Sequence, residues 1–431
     1  MSHNLVAYVG LTHLGLISAA AALEKGAHVI CFDPDENLIT RLKSLKYPIN
    51  EPGFEEAINK NKDRIVFTSS LEDLKKADLI YVAPDIPTDD TGAGNLEGIK
   101  KLITLIAPYI LRTACLIILS QVPPGFTRSL QGIVQPTRID PEKIYYQVET
   151  LVFGIALQRA LYPERFVIGV QNTKKALDIK YESFLKSFNC PLLIMDYESA
   201  EFCKISINAF LAATVSTANT LEEICQKIGA KWSDITPALR LDKRIGEYAY
   251  LSPGLGLSGG NIERDLRTIV SISQERGTYG KVVDSFIKNS HHRRNWPFNI
   301  FYNYILPQFS DKNMTIGVLG LAYKENTHST KNSAALKLIS QLKEFNVQAY
   351  DPLVKKLPFD SDSIILKPSV SETVKDSDVL FLMTPWAEFK DQDLQKITSL
   401  MRHQFIVDPY KILSTNSDIA NSKELNYYSL C

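Results

Sequence analysis

The chain has 431 residues, more than one ordinary hydrophobic core organises, so two or three domains are expected. Apolar residues make up 45% and charged ones 22%, and 48 basic side chains balance 48 acidic ones, so the net charge is zero. That balance excludes a nucleic-acid coat or a polybasic membrane anchor, and no apolar run reaches the ~18 residues that span a bilayer. The first residues enter an apolar run at once, without a basic n-region or a small-residue cleavage site. Six cysteines (Cys31, Cys115, Cys190, Cys203, Cys225, Cys431) lie scattered, without CxxC spacing or a histidine cluster. This argues against zinc and against a disulfide scaffold. The expectation is a soluble, cytoplasmic α/β protein without metal, nucleic-acid or membrane partners.

In chain order, Leu5–Val9 reads as a buried strand and residues 15–25 as a helix closed by Gly26. His28–Phe32 is the next strand, followed by helical 36–45; residues 79–83, 115–119 and 166–169 continue the series. Near-continuous apolar strands alternating with helices predict a parallel, doubly wound sheet covered on both faces. From 199 to 227, Phe202, Ile205, Ala209, Phe210, Ala212, Ala213 and Leu221 recur at helical spacing without proline or glycine. That stretch predicts a helix long enough to span one domain and bridge two others. Further helical sequence follows, then a basic, aromatic, linker-like segment at 291–298. Thr315–Leu319, 347–350, Val379–Leu382 and Phe405–Val407 restart the strand–helix rhythm. The expected architecture is two doubly wound Rossmann-like lobes joined by a central helical dimerisation domain, with boundaries at 1–197, 198–298 and 299–431. The lobes share a rhythm and no detectable repeat.

After the first strand comes GLTHLG at 10–15, a dinucleotide fingerprint with one member changed. Gly10 makes the turn and Gly15 admits close helix packing; Thr12 stands where a second glycine would let backbone approach a pyrophosphate. Leu14 belongs to the same cofactor-facing turn. Asp33 follows Gly15 by 18 positions, at the end of the second strand. A carboxylate there accepts hydrogen bonds from an adenine-ribose diol and repels a 2′-phosphate, which favours NAD over NADP. The competing reading is a lobe that has lost its cofactor, with Asp33 a polar strand end.

Longer motifs converge with this signal: YPINEPGF at 47–54, VPPGFT at 122–127, LDKRIG at 241–246, PGLGLSGG at 253–260 and GLAYKENT at 320–327. In this order they resemble the UDP-glucose/GDP-mannose dehydrogenase family over nearly the whole chain. The resemblance implies an N-terminal NAD lobe, a central dimer-forming domain and a C-terminal lobe for a sugar nucleotide. Members of that family typically oxidise a sugar-nucleotide primary alcohol to the acid with two NAD. A cysteine captures the intermediate aldehyde, and water releases the resulting thioester.

Carried over residue by residue, EFCKISIN at 201–208 supplies the family's lysine and asparagine as Lys204 and Asn208. Their i,i+4 spacing puts both on one helix face. Asp265 falls at the family aspartate, with a helix-N-terminal carboxylate as the plainer alternative. Other positions depart: Asn261 occupies the cysteine position, Phe153 that of the catalytic glutamate, Gln121 that of a threonine on the cofactor side, Arg264 that of a lysine and Glu263 that of a proline. Asn261 forms no thioester and Phe153 moves no proton. Cys203 is no substitute, because it points about 100° round the helix from its neighbour Lys204.

On the substrate side, Arg244 matches an arginine that reaches a substrate across the family's dimer. Gly254, Gly256, Gly259 and Gly260 suit a backbone cradle for sugar and diphosphate. Lys324 matches a lysine of the third domain, and Lys331 replaces a downstream arginine. A solvated surface or an interdomain ion pair is the plainer reading of these basic residues. Three functions compete: an NAD-dependent sugar-nucleotide dehydrogenase limited to one two-electron step, a binding or regulatory paralogue, and an epimerase that retains NADH. Thr12 and the altered loop APDIPT at 83–88 favour the second.

Overall fold

A computed structural model describes residues 4–87, 94–134, 139–311, 313–359, 363–413 and 425–430; Thr88 and Cys431 lie outside them. The chain forms two compact units, Met1–Ile207 and Asn208–Cys431.

The first unit holds β1 (Leu5–Val9), β2 (His28–Phe32), β3 (Ile65–Thr68), β4 (Leu79–Val82), β5 (Cys115–Ile118), β6 (Ile144–Gln147), β7 (Phe166–Val170) and β8 (Leu192–Asp196). Their order in the sheet is β3-β2-β1-β4-β5-β6-β7-β8. β1 and β4 are adjacent at the centre, and successive strands run outward from them in opposite directions. Such a reversal opens a crevice at the carboxyl ends of the strands. The apolar runs of β1, β4 and β5 are fully or almost fully buried, as strands covered on both faces must be. α1 (His13–Glu24) is buried along most of its length because its sequence is apolar on nearly every side. Gly26, at φ +91°, ends it.

The sheet departs from the all-parallel expectation at one pair: β6 and β7 are antiparallel, with Tyr146 opposite Gly169. A parallel pair would need a crossover back to the far edge. The antiparallel step keeps the intervening segment 148–165 at the carboxyl edge of the sheet, where its short helix Ala156–Leu161 packs on α1.

α2 (Tyr197–Ile228) begins in the first unit and ends in the second, slightly longer than the predicted 199–227 helix. The second unit continues with α3 (Trp232–Leu241), α4 (Asn261–Glu275) and α5 (Lys281–Arg294). A parallel sheet follows, formed by β9 (Thr315–Leu319), β10 (Asn346–Tyr350), β11 (Ile364–Leu366), β12 (Val379–Leu382), β13 (Phe405–Val407) and β14 (Asn426–Tyr428). Its order, β11-β10-β9-β12-β13-β14, repeats that of the first six strands of the chain.

The linker expected at 291–298 is helical instead. His291 to Arg294 form the last turn of α5, where cations favour the helix dipole, and Trp296–Ile300 is a helix with Pro297 in its first turn. Arg293 is fully buried and donates through Nη2 to the equally buried Glu222 at 2.8 Å. Removing either partner of such a pair costs about 3–5 kcal/mol, so Arg293 belongs to the core, while its neighbours His291 and His292 are exposed. Among the described residues no helix is long and apolar enough to cross a membrane.

Candidate functional site

The first unit's site grows from the turn after β1. Gly10 sits at φ +87°, and a Cβ there would lie 2.8 Å from the Pro84 nitrogen. A Cβ on Gly15 would lie 2.3 Å from the Gly10 carbonyl oxygen. Only glycine permits both approaches. The Gly10 N–H donates to Phe32 O at 3.0 Å, tying β1 to β2. Asp33 accepts from Leu11 N at 2.8 Å through Oδ2 and from Asp35 N at 3.0 Å through Oδ1, and it stays half-exposed. Its carboxylate therefore holds the turn and keeps acceptor capacity toward solvent. Thr12 turns its hydroxyl onto Ala83 O at 3.1 Å, fastening the turn to the end of β4. Leu14 packs on the core beneath. These residues fit a dinucleotide: a helix N-terminus opens over glycine backbone, with a partly free carboxylate at the end of β2. NAD held there supplies a hydride acceptor.

Beyond β5, Gln121 is half-buried, just before the proline turn. That turn is clamped by Glu201 of α2, a fully buried carboxylate that accepts Gly125 N at 2.6 Å and Thr127 N at 2.8 Å. Burial pushes the Glu201 carboxyl above its ordinary range, and these hydrogen bonds only partly offset it. One turn further along α2 lies half-buried Lys204. Its charge acts on Glu149, which follows β6; burial raises the Glu149 carboxyl, while a hydrogen bond from Thr150 N and then Lys204 pull it back down. Phe153, on the same segment, is partly exposed, and its ring lies 4.3 Å from that of His13. Sequence reading missed Glu201 and Glu149. Glu201 opens the motif at 201–208, whereas Glu149 lies in none of the motifs.

In the second unit, Asn208 donates through Nδ2 to Asp265 Oδ2 at 2.5 Å, and both are buried. Arg264 Nε lies 3.3 Å from the other Asp265 oxygen and is buried too. Asp265 sits past the first turn of α4, so the buried contact rather than the helix dipole explains it. Asn261 opens α4, one turn before Asp265, and is exposed. Glu263 accepts from Arg267 (2.7 Å), Asn332 (3.0 Å) and Arg294 (3.1 Å). Burial opposes its ionisation, yet the two arginines hold its carboxyl below the ordinary range.

The glycine loop is tied down by protein. Gly256, at φ +84°, passes so close to Ser290 that a Cβ would lie 2.5 Å from its carbonyl oxygen; Gly259, at φ +76°, faces the Tyr323 ring. The N–H groups of Gly254, Leu257 and Gly259 already donate to Asn219, Ser290 and Lys331. A ligand cradle is left with the loop's other donors, including Gly260 at the start of α4. The segment carrying half-buried Lys324 meets this loop through Asn332 Nδ2, 2.9 Å from Gly259 O. Arg244 stands apart: its side chain is 89% exposed and paired bidentately with Asp242.

Two Rossmann-type sheets with a dinucleotide turn on the first define an NAD-dependent dehydrogenase. Profiles of the UDP-glucose/GDP-mannose dehydrogenase family match the chain in three blocks: the NAD binding domain at residues 4–186, the central domain at 198–291 and the UDP binding domain at 317–415. The chain belongs to this family, and its cofactor is NAD. It is 30% identical over 422 residues to UDP-glucose 6-dehydrogenase TuaD of Bacillus subtilis, covering 95% of this chain and 89% of that one. A UDP-glucose 6-dehydrogenase of Rickettsia bellii is 28% identical over 435 residues, 99% of each chain. The solved UDP-glucose dehydrogenase of Pyrobaculum islandicum superposes with a TM-score of 0.84 at 22% identity, covering 99% of this chain and 98% of that one.

Proposed function

We propose that this chain oxidises a CH–OH group of a sugar nucleotide in a single two-electron step, one NAD per turnover. The observation that carries this reading is selective loss. Asn261 and Phe153 stand where the family has its thiol and glutamate, while Lys204, Asn208 and Asp265 are kept, the last two as a buried pair. An alkoxide becoming a carbonyl needs donors and a counter-charge, which Lys204 and Asn208 supply: the amide retains a second N–H after serving Asp265. Acid formation needs a nucleophile, and asparagine offers none.

The sugar nucleotide is assigned to the second unit, with the loop Gly256, Gly259 and Gly260 and Lys324 as its contacts. Asp33, Gly10, Thr12, Leu14, Gly15 and Gln121 are assigned to NAD. A three-domain organisation with boundaries near 197 and 298 accompanies the reading. So does a homodimer: Phe210 and Ile228 of α2 are 78% and 71% exposed, and Tyr248 beside Arg244 is 88% exposed, an apolar surface that pairing would cover. Arg244 would then reach the partner's substrate. Five free cysteines among the described residues suit a cytoplasmic location. The deciding experiment is NADH formation against UDP-, GDP- and dTDP-sugars, with products identified by mass. A carbonyl product supports the reading; binding without NADH supports a regulatory paralogue, and an isomerised sugar without net NADH an epimerase.

A further inference from the structure

One cluster beside the fingerprint turn has no part in the chemistry above. Glu51 is buried, and its carboxylate accepts Gly154 N at 2.9 and 3.0 Å and Ala156 N at 3.4 Å. His13 Nε2 lies 2.9 Å from Glu51 Oε1. An ionised carboxylate only accepts, so Nε2 carries the hydrogen, and in the neutral ring Nδ1 keeps a lone pair. His13 is the first residue of α1, on the turn assigned to NAD, and its side chain is mostly buried. Its ring packs on Phe153, the residue at the family's glutamate position. A buried carboxylate, an oriented imidazole and the lone pair on its second nitrogen make a base–orienter pair. The side chain that displaced the family's proton carrier thus rests on another one.

We propose that His13 is the base of the two-electron reaction, with Glu51 as the positioning residue that fixes its tautomer and balances the imidazolium. This rests on the reading given under the proposed function. The substrate O–H bond breaks toward Nδ1, and its electron pair becomes the second C–O bond. The C–H pair leaves as hydride to the oxidised cofactor. The imidazolium later returns its proton to solvent.

The first test needs neither cofactor nor substrate. Imidazole 15N shifts of histidine-labelled protein, assigned with His13→Gln, are expected to show the Nε2–H tautomer in wild type and a tautomer mixture in Glu51→Gln. An Nδ1–H tautomer in wild type overturns the proposal. The second test uses His13→Gln and His13→Ala. Glutamine still donates to Glu51 and holds the loop, so a merely structural role predicts wild-type kcat for it. The proposal predicts that kcat falls on the order of 10²–10⁴-fold in both variants, with KM little changed and partial recovery of His13→Ala by added imidazole. Should His13→Ala fail to fold, the glutamine variant decides alone. NADH formation at full rate in His13→Gln overturns the base only; a wild type that forms no NADH from any sugar nucleotide overturns the underlying reading as well.

Discussion

The turn after β1 and the turn after β9 are built from the same parts. Gly10 and Gly320 both sit near φ +90°, against Pro84 and Thr384 respectively. Each donates its N–H to the end of the neighbouring strand, Gly10 to Phe32 O and Gly320 to Tyr350 O. Each turn is gripped by an aspartate at the end of the next strand, Asp33 or Asp351, and each is fastened to the strand beyond by a threonine hydroxyl, Thr12 to Ala83 O or Thr384 to Ala322 O. They part at the carboxylate. Asp351 is buried and accepts from Leu321 N, Ala322 N and Trp386 Nε1 on one oxygen and from Leu353 N and Val354 N on the other. Asp33 accepts from two N–H groups and faces solvent. The difference teaches that the glycine–aspartate frame is first a way to hold a turn. The first frame leaves its carboxylate with acceptors to spare and starts a helix at once: α1 begins three residues after Gly10, whereas the helix Ala334–Gln341 begins much later after Gly320.

The largest effect that tests this contrast is on stability. Asp351→Ala should cost about 3–5 kcal/mol, because several buried N–H groups lose their acceptor at once. Asp33→Ala should cost only about 1 kcal/mol. Urea midpoints of the two variants check this, and equal losses would break the contrast. Next, Gly320→Ala should destabilise by roughly 2–4 kcal/mol through the clash with Thr384 and the positive φ, without a direct effect on NAD binding. Gly10→Ala should damage both stability and NAD affinity, read by calorimetry. Asp33→Ser should narrow the preference for NAD over NADP while Asp351→Ser leaves the ratio unchanged. Thr12→Gly should tighten NAD binding while losing about 1 kcal/mol of stability with the Ala83 hydrogen bond.

The smallest effect concerns pH. Burial raises the carboxyls of Glu149 in the first unit and Asp408 in the second above their ordinary values. The folded chain then binds protons the unfolded chain has released, so this stabilisation is complete below the ordinary carboxylate range and is lost as pH rises through the raised values. Glu149→Gln should flatten that decline in a pH series of denaturation midpoints. A decline of unchanged slope would place its source elsewhere.

Much of this was legible in the sequence, for physical reasons. Strands buried on both faces, such as Leu5–Val9 and Val379–Leu382, announce themselves as unbroken apolar runs. Ile65–Thr68 and Leu192–Asp196 did not, because they lie at or near a sheet edge and alternate or mix exposure. The repeat between the two turns was invisible because its shared contacts run through backbone and one carboxylate at different spacings. The glycine fingerprint and the residues Asn208 and Asp265 could be named from motifs, but not the contact between those two. Glu51, Glu201 and Glu149 were not, since each acts through backbone or side chains brought near only by the fold. Arg293 fell within a stretch that read as linker-like for the same reason: its partner Glu222 lies 71 residues earlier, on α2.

Lys204→Ala and Asn208→Ala should each lower kcat on the order of 10²–10³-fold with little loss of sugar-nucleotide affinity, as groups that act when charge develops. Stoichiometry tests the central claim more directly than any variant. Wild-type enzyme with limiting sugar nucleotide and excess NAD should form one NADH per sugar consumed, and hydroxylamine should trap a carbonyl product. Two NADH per sugar with a uronic acid as product would contradict the account, because a single two-electron step yields neither.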